Sequence, residues 1–240
     1  KMGLDEERLN REGAEPIREA LAAIAAMSER EQIVAALAEL HTDGVGVFFA
    51  AYPAADLADS NMTILYLEQG GLGMGNRDYY TDEQNAEIKA AYRTYLKNIF
   101  TLAGVKGDVD AMVENVLAVE DRIAEKHWTN VECRDIVKGY NPYTYADFKA
   151  EYQVVDWDAY FKAMGIENID KLVVSQPSSF QNILDVLNTA SLEELRAYTT
   201  AHYINAATSY LSEDFALASF EFYGKTMSGT EEIRPRWKRA

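Results

Sequence analysis

Apolar residues recur along this chain at the three- and four-residue spacing that places them on one face of an α-helix. The clearest case is a long segment that carries Ile88, Tyr92, Tyr95 and Ile99 and ends at Gly104. The same spacing predicts further helices at residues 17–24, 33–40, 112–124, 144–148, 157–161, 180–187 and 195–203.

Polar residues mark where several of these helices begin. The capping-box pattern, a hydroxyl residue followed three positions later by Glu or Gln, occurs at Ser28, Thr81 and Ser191. Asp108 is a further predicted N-cap, and Pro177 suits a first helical turn because its missing N–H is not needed there.

Strand signals are few. The β-rich stretches at residues 47–52 and 62–68 are separated by a polar turn, which predicts a hairpin, and residues 172–174 give a weaker third signal. The pattern as a whole predicts a mainly α protein, a multi-helix domain with one small β-hairpin. We expect residues 1–240 to form a single helical lobe.

Charge and composition exclude several classes of partner. With 23 basic and 39 acidic residues the net charge is −16, and such a surface repels nucleic acid. No apolar run reaches the roughly 18 residues that a membrane span requires, so none is expected in this chain. Cys133 is the only cysteine, which excludes an internal disulfide and a cysteine-rich zinc site.

The stretch LEQGGLGMGNRDYYTDEQ, residues 67–84, is rich in glycine and raises the question of a phosphate-binding loop. It lacks the lysine and hydroxyl residue of a P-loop, and its glycines do not have the spacing of a dinucleotide-binding fingerprint. The pattern favours glycines that permit positive φ angles where a strand turns sharply into a helix.

Other catalytic patterns are absent from the sequence. The histidines His41, His127 and His202 lack the three- or four-residue spacing that presents two imidazoles to one metal ion. There is no Gly-x-Ser-x-Gly nucleophile elbow, and Cys133 lies six residues from His127. The 15 tyrosines fit core packing better than a sugar- or peptide-binding surface.

Five segments, taken in order, resemble the neprilysin and endothelin-converting-enzyme family of zinc metallopeptidases. They are KMGLDEERLNREGAEPI, GGLGMGNRDYY, VEDRIAEKHWTNVECRDIVKGYN, VDWDAYF and FEFYGKTMSGTEEIRPRWKR. The motif residues to which the resemblance gives a structural role are Gly71, Arg77, Asp78, Tyr79, Tyr80, Arg134, Asp135, Arg236 and Trp237. Gly3 and Ala240 stand where animal members carry cysteines, which favours a bacterial-type member.

The resemblance implies that this chain is the N-terminal helical lobe of a two-lobed enzyme. The zinc ligands and the catalytic glutamate are then expected after Ala240, so the chain itself holds no catalytic residue and no metal ligand, and it is expected to be inactive alone. The implied partners are the enzyme's own C-terminal catalytic lobe and peptide substrates. The implied location is extracytoplasmic, in a periplasm or at a cell surface.

The functional expectation is a substrate-gating lobe of a zinc metalloendopeptidase that hydrolyses oligopeptides. The alternatives are a stand-alone helical module that binds sugars or peptides on a cell envelope, and a nucleotide enzyme. In the gating interpretation the glycine loop joins the hairpin to a long helix starting at Thr81, with Arg77 and Asp78 fixing that corner by hydrogen bonding. Tyr79 and Tyr80 are expected to pack beneath it.

Overall fold

The computed structural model of this chain describes residues 5–239. Gly3 and Ala240, the two positions where the resemblance places cysteines in animal members, lie outside the described residues. Helices dominate this range, and they are α1 (Glu6–Glu12), α2 (Arg18–Ala26), α3 (Arg30–Thr42), α4 (Asp78–Thr81), α5 (Ala86–Leu102), α6 (Val109–Ala124), α7 (Tyr145–Glu151), α8 (Trp157–Ala163), α9 (Pro177–Thr189), α10 (Leu192–Ala207), α11 (Glu213–Ser219) and α12 (Arg236–Arg239). A π-helix, Phe220–Met227, continues directly from α11.

The strands form one sheet of four, in the order β1-β2-β4-β3. They are β1 (Phe49–Ala55), β2 (Thr63–Gln69), β3 (Pro142–Thr144) and β4 (Lys171–Val174). The β1–β2 pair is the antiparallel hairpin, with Tyr52 opposite Tyr66, whereas β2 and β4 run parallel. The edge strand β1 contains Pro53.

Two hydrophobic clusters fill the interior. The first lies between the inner face of the sheet and helices α3, α8 and α9, and it contains Leu67, Trp157 and Phe180. The second lies among α5, α6, α10, α11 and the π-helix, and it contains Ile99 and Val116. Helices α6 and α10 contribute side chains to both clusters, so they tie the two halves of the interior together.

Alternation along the strands sends side chains to opposite faces of the sheet. Leu65, Leu67 and Leu172 enter the first cluster, whereas Ile64 and Tyr66 join Val173 in a small third cluster on the outer face. On that outer face Tyr140, from the segment at residues 128–141, packs against the small cluster, whereas Tyr52 of β1 is 39% exposed.

The sequence-based fold class is confirmed, since the protein is mainly α with few strands. The hairpin is present and the weak signal at residues 172–174 is a strand, β4. The expectation of a hairpin alone was incomplete, because Pro142–Thr144 adds a fourth strand that is too short to show a period of its own. Among residues 5–239, no helix has the length and apolar character that crossing a bilayer requires.

Candidate functional site

The glycine loop, residues 70–75, connects β2 to α4, and side chains from distant parts of the chain bind its backbone. His127 and Tyr198 donate hydrogen bonds to the carbonyl oxygens of Gly70 and Gly71, at 3.0 and 2.9 Å. The N–H of Gly73 donates to Glu120 at 3.2 Å. Backbone N–H groups are what a phosphate would need, and those of Gly73, Met74 and Gly75 already donate to Glu120, Tyr80 and the Leu72 carbonyl, which argues against a nucleotide site.

Close packing explains why two loop positions must be glycine. Gly71 has a φ of +81°, and a Cβ added there would lie 2.7 Å from backbone atoms of Phe48 and 2.5 Å from the Tyr198 hydroxyl. At Gly73 an added Cβ would lie within 2.6 Å of two atoms of the Tyr92 phenol ring and hydroxyl. Both positions combine a sharp turn with a backbone that touches its neighbours.

A buried carboxylate, Glu120 of α6, lies beneath the loop with no exposed surface. Its Oε1 accepts hydrogen bonds from the Tyr92 hydroxyl at 3.0 Å and from His202 Nε2 at 2.8 Å, in addition to the Gly73 N–H. Its Oε2 accepts from the Tyr80 hydroxyl at 2.7 Å. Because a carboxylate only accepts, His202 carries its proton on Nε2.

The tyrosines around Glu120 remain protonated over the whole physiological range. Burial, followed by the nearby Glu120 charge, raises the pKa of Tyr80 and of Tyr92 well above the ordinary value. Tyr80 also accepts a hydrogen bond from the N–H of Met74 at 2.9 Å, so one phenol connects the loop to the carboxylate. These groups act as fixed hydrogen-bond donors that hold the loop, and none is poised to transfer a proton.

The Arg-Asp-Tyr-Tyr motif lies at the end of this loop. Arg77 Nη1 donates to the carbonyl oxygen of His127 at 2.8 Å. The carboxylate and backbone N–H of Asp78 bond to the side chain of Asn76, while the Asp78 carbonyl accepts from Asn85. The structure thus brings four motif residues, Arg77, Asp78, Tyr79 and Tyr80, to one corner, where both tyrosines pack partly buried against the second cluster.

The expected continuation of this corner was wrong in one respect. Thr81 does not start the long helix, because it is the last residue of the four-residue helix α4. Asp82 then caps a short 3-10 turn by accepting from the N–H of Gln84, and α5 begins only at Ala86. The Asp82 side chain, one position after Thr81, therefore caps the 3-10 turn that precedes α5.

The remaining motif residues lie elsewhere. Arg134 and Asp135 are on the exposed segment that crosses the outer face of the sheet. Arg236 is buried and its guanidinium donates to the carbonyl oxygens of Ser209 and Leu211, whereas Trp237 is 67% exposed. The motif therefore marks three separate places, and the corner at the glycine loop brings four of its residues together.

No sequence pattern marked His127 or His202 as partners of this corner, and Glu120 lies within one of the five family-like segments without a role of its own. A signal for Glu120 exists, since it is an acid on the apolar side of α6 between Val116 and Ile123. The two histidines carry no comparable local signal, because their partners lie 57 and 82 positions away in the chain.

The described residues do not fit a zinc ion. Each histidine is engaged separately: His41 bonds to Tyr160 and to the Val47 carbonyl, His127 to Gly70, and His202 to Glu120. Within residues 5–239, no three His, Cys, Asp or Glu side chains are grouped closely enough to hold a metal ion.

An open groove of about 1170 Å³ lies between α2, the loop before α6, and α10. Alanines and glycines form much of its wall, together with Arg18, Lys106 and Arg196 and the acidic Asp108 and Glu193. Arg196 is committed to the carbonyl oxygens of Ala25 and Met27. The groove contains charges of both signs and neither histidine nor cysteine.

Comparison with known proteins gives a consistent family. The family model described as Peptidase family M13 matches residues 1–240. The neutral endopeptidase of Lactobacillus helveticus is 24% identical over 187 residues, and endothelin-converting enzyme 1 of Homo sapiens is 26% identical over 200 residues. These matches cover 78% and 80% of this chain, but only 29% and 26% of the two relatives.

Solved structures share the fold. The zinc metalloprotease Zmp1 of Mycobacterium tuberculosis, determined by cryo-electron microscopy in an open state, matches with a TM-score of 0.92 at 31% identity. PepO from Lactobacillus rhamnosis matches with a TM-score of 0.81 at 21% identity, which shows the fold alone. Each match covers 99% of this chain and 38% of the other chain, so this chain spans well under half the length of these relatives.

Proposed function

We infer a function from the premise that this chain belongs to peptidase family M13. We propose that it is the substrate-gating helical lobe of a neprilysin-like zinc metalloendopeptidase that hydrolyses oligopeptides. The observation that carries the proposal is a family match over all 240 residues in a chain that spans only 38% of its solved relative.

The catalytic chemistry is proposed to come from outside this chain. The histidines of the described residues are bonded to other groups and lie apart, so they do not supply zinc ligands. In the proposed arrangement the full-length enzyme holds zinc in its own C-terminal lobe, and this lobe contributes none of the reacting groups. We propose an extracytoplasmic location for that enzyme.

The gating role rests on how a lid selects substrates. A lobe that closes over an internal site admits short flexible peptides and excludes folded proteins, and closure also removes bulk water from the chemistry. The related Mycobacterium tuberculosis protease has been solved both in an open state and in complex with an inhibitor, which supports opening and closing in this family. The net charge of −16 would favour basic peptides, but only within about 8–10 Å because salt screens longer distances.

The test is to express the full-length protein that contains this chain and to compare substrates of different size. We expect zinc-dependent cleavage of oligopeptides, loss of that cleavage on chelation with recovery on adding zinc, and no cleavage of a stably folded protein. Cleavage of the folded protein at a rate similar to its unfolded form would contradict gating. Absence of zinc-dependent cleavage would contradict the peptidase assignment itself.

A further inference from the structure

Residues 128–141, which we call the crossing loop, run along β2 on the outer side of the sheet, where Tyr140 packs against the third cluster. At one end, the side chain of Gln69 bonds to both the carbonyl and the N–H of Trp128, at 3.0 and 2.7 Å. At the other end, the Tyr140 hydroxyl donates to Asp56 at 2.6 Å. Since Gln69 ends β2 and Asp56 lies in the turn before it, the loop spans the full length of that strand.

Several contacts form within the crossing loop. Lys138 bonds to Glu132 at 2.7 Å and its ammonium lies 4.1 Å from the centre of the Trp128 ring. Asp135 accepts from the N–H of Lys138 and, through its carbonyl, from the N–H of Gly139. These contacts support the conformation of the loop, and such support reduces the conformational entropy that docking onto it would cost.

The crossing loop exposes several large apolar side chains among polar ones. Val137 is 87% exposed, Val131 75% and Ile136 65%, so three of the most exposed large hydrophobic side chains described fall within seven consecutive positions. Leu57 and Met62, also exposed, lie in the hairpin turn that Asp56 ties to the loop. Single exposed apolar residues are ordinary, but a cluster on an ordered surface marks an interaction site.

Arg134 adds a charge to this surface. Its side chain is exposed and has no hydrogen-bond or ion-pair partner among residues 5–239, unlike Glu132, Asp135 and Lys138, which are all used to build the loop. The fold thus gives no internal role to the arginine of the Arg-Asp motif. An acidic or carbonyl group on a docking partner would complete its contacts.

We propose that the crossing loop is the face of this lobe that the catalytic zinc lobe of the same polypeptide covers when the enzyme closes over a peptide. The inference rests on the proposed function. In the solved relative, the region matched by this chain is 38% of the whole, so most of the homologous polypeptide lies outside it and needs a surface on which to pack. Val131, Ile136 and Val137 supply the apolar centre of that surface, and Arg134 supplies a charged contact at its edge.

Cys133 provides a direct reporter, because it is exposed on the crossing loop and is the only cysteine in the chain. The experiment uses the full-length enzyme with any cysteine outside residues 1–240 replaced by serine, and it measures the rate of maleimide labelling with and without a saturating peptide-like inhibitor. We expect the inhibitor to slow labelling about tenfold and small-angle scattering to show a smaller radius of gyration in parallel. An unchanged labelling rate would overturn the proposal.

A pair of variants separates this surface from the rest of the lobe. The double variant Ile136→Asp/Val137→Asp places charges in the proposed contact, so we expect it to keep its zinc, to lose inhibitor protection of Cys133 and to lose about tenfold in kcat/KM. The control Tyr210→Asp changes a side chain that is 71% exposed in the turn after α10, and we expect it to match the unmodified enzyme.

The remaining outcomes are distinguishable. Protection of Cys133 that depends on protein concentration would mean that a second copy covers the loop, and protection without a change in scattering would mean that the ligand itself covers it. Either result overturns the proposal. If the full-length protein shows no zinc-dependent cleavage, the proposed function fails first; if it cleaves peptides while Cys133 labelling is unchanged, only the docking face is wrong.

Discussion

At the scale of single residues, the glycine loop shows how one position can be dictated by contacts that no local pattern reveals. That the stretch contains a sharp turn is predictable from its glycines. That Gly73 meets the Tyr92 hydroxyl and the Glu120 carboxylate is not, because those partners lie on α5 and α6 and only the tertiary fold brings them together.

The variant Gly73→Ala is expected to destabilise the chain by about 1–3 kcal/mol, because its methyl group would overlap the Tyr92 hydroxyl and force apart a packed cluster. The matched control is Gly46→Ala, where an added Cβ has no neighbour within 4 Å. Urea denaturation of both variants measures the difference. Equal free energies of unfolding would show that the loop is not held as closely as described.

Arg77→Ala removes a charged hydrogen bond to the carbonyl of His127, and we expect it to cost about 1.5–3 kcal/mol in the free energy of unfolding. Thermal and urea denaturation measure the change. Arg18→Ala serves as the control, since that side chain is 74% exposed and pairs with Glu15 at the surface. An unchanged melting temperature for Arg77→Ala would count against the corner as the role of the Arg-Asp-Tyr-Tyr motif.

His127 makes stability depend on pH. Burial lowers the pKa of this histidine from 6.5 to about 4. Between these two pH values the imidazole is therefore protonated in the unfolded chain and neutral in the folded chain. The contribution of His127 to the free energy of unfolding is therefore fully present above pH 6.5. It is lost as the pH falls towards 4, by about 1.4 kcal/mol per pH unit.

The variant His127→Gln tests this dependence, because glutamine retains a donor for the Gly70 carbonyl and does not titrate. Urea denaturation at several values between pH 7 and 4 should give a shallower loss of stability for the variant than for the unmodified chain. Parallel curves would contradict a neutral buried imidazole at this position.

At the scale of elements, helix starts were predictable where one capping residue had no local rival. Asp108 and Ser191 cap α6 and α10 as the sequence indicates. Near residue 28 the N-cap is Glu29, because the Gln32 side chain bonds to its N–H and completes the capping box one position later than expected. Local patterns thus predict that a helix begins, but neighbouring polar side chains decide at which residue.

The reassigned caps lead to a paired prediction. Ser191→Ala should lower the free energy of unfolding by about 1 kcal/mol, because the N–H of Glu194 loses its side-chain acceptor. Ser28→Ala should change it by less than about 0.5 kcal/mol, as for surface positions away from such features. If urea denaturation showed that both variants lose the same free energy of unfolding, Ser28 would be the N-cap of α3 after all.

At the scale of the whole molecule, α6 and α10 join the two hydrophobic clusters. The sequence does not predict this, because periodicity shows that a helix has an apolar face but not which residues pack against that face. The consequence is cooperative unfolding. Val116→Ala lies in the second cluster, yet we expect it to lower the urea midpoint reported by the fluorescence of Trp157 in the first cluster. A Trp157 signal that does not follow the circular dichroism signal would indicate two independent units.

The proposed division of labour also predicts the behaviour of this chain by itself. Purified residues 1–240 should bind no stoichiometric zinc and cleave no peptide, because the histidines are engaged in separate hydrogen bonds. Metal analysis and a fluorogenic peptide assay measure this, with the full-length enzyme as the positive control. Zinc-dependent cleavage by the isolated chain would contradict the proposal.

Both borders of the sheet are poor templates for an extra strand. Pro53 in the border strand β1 has no N–H to offer a newcomer, and β3 at the opposite border is only three residues long. An extended peptide can pair with the unpaired edge strand of a sheet. In an enzyme proposed to cleave extended peptides, a peptide bound in this way would not reach the catalytic site. In the proposed lid, both borders would therefore hold such peptides poorly and leave them free to reach the catalytic lobe.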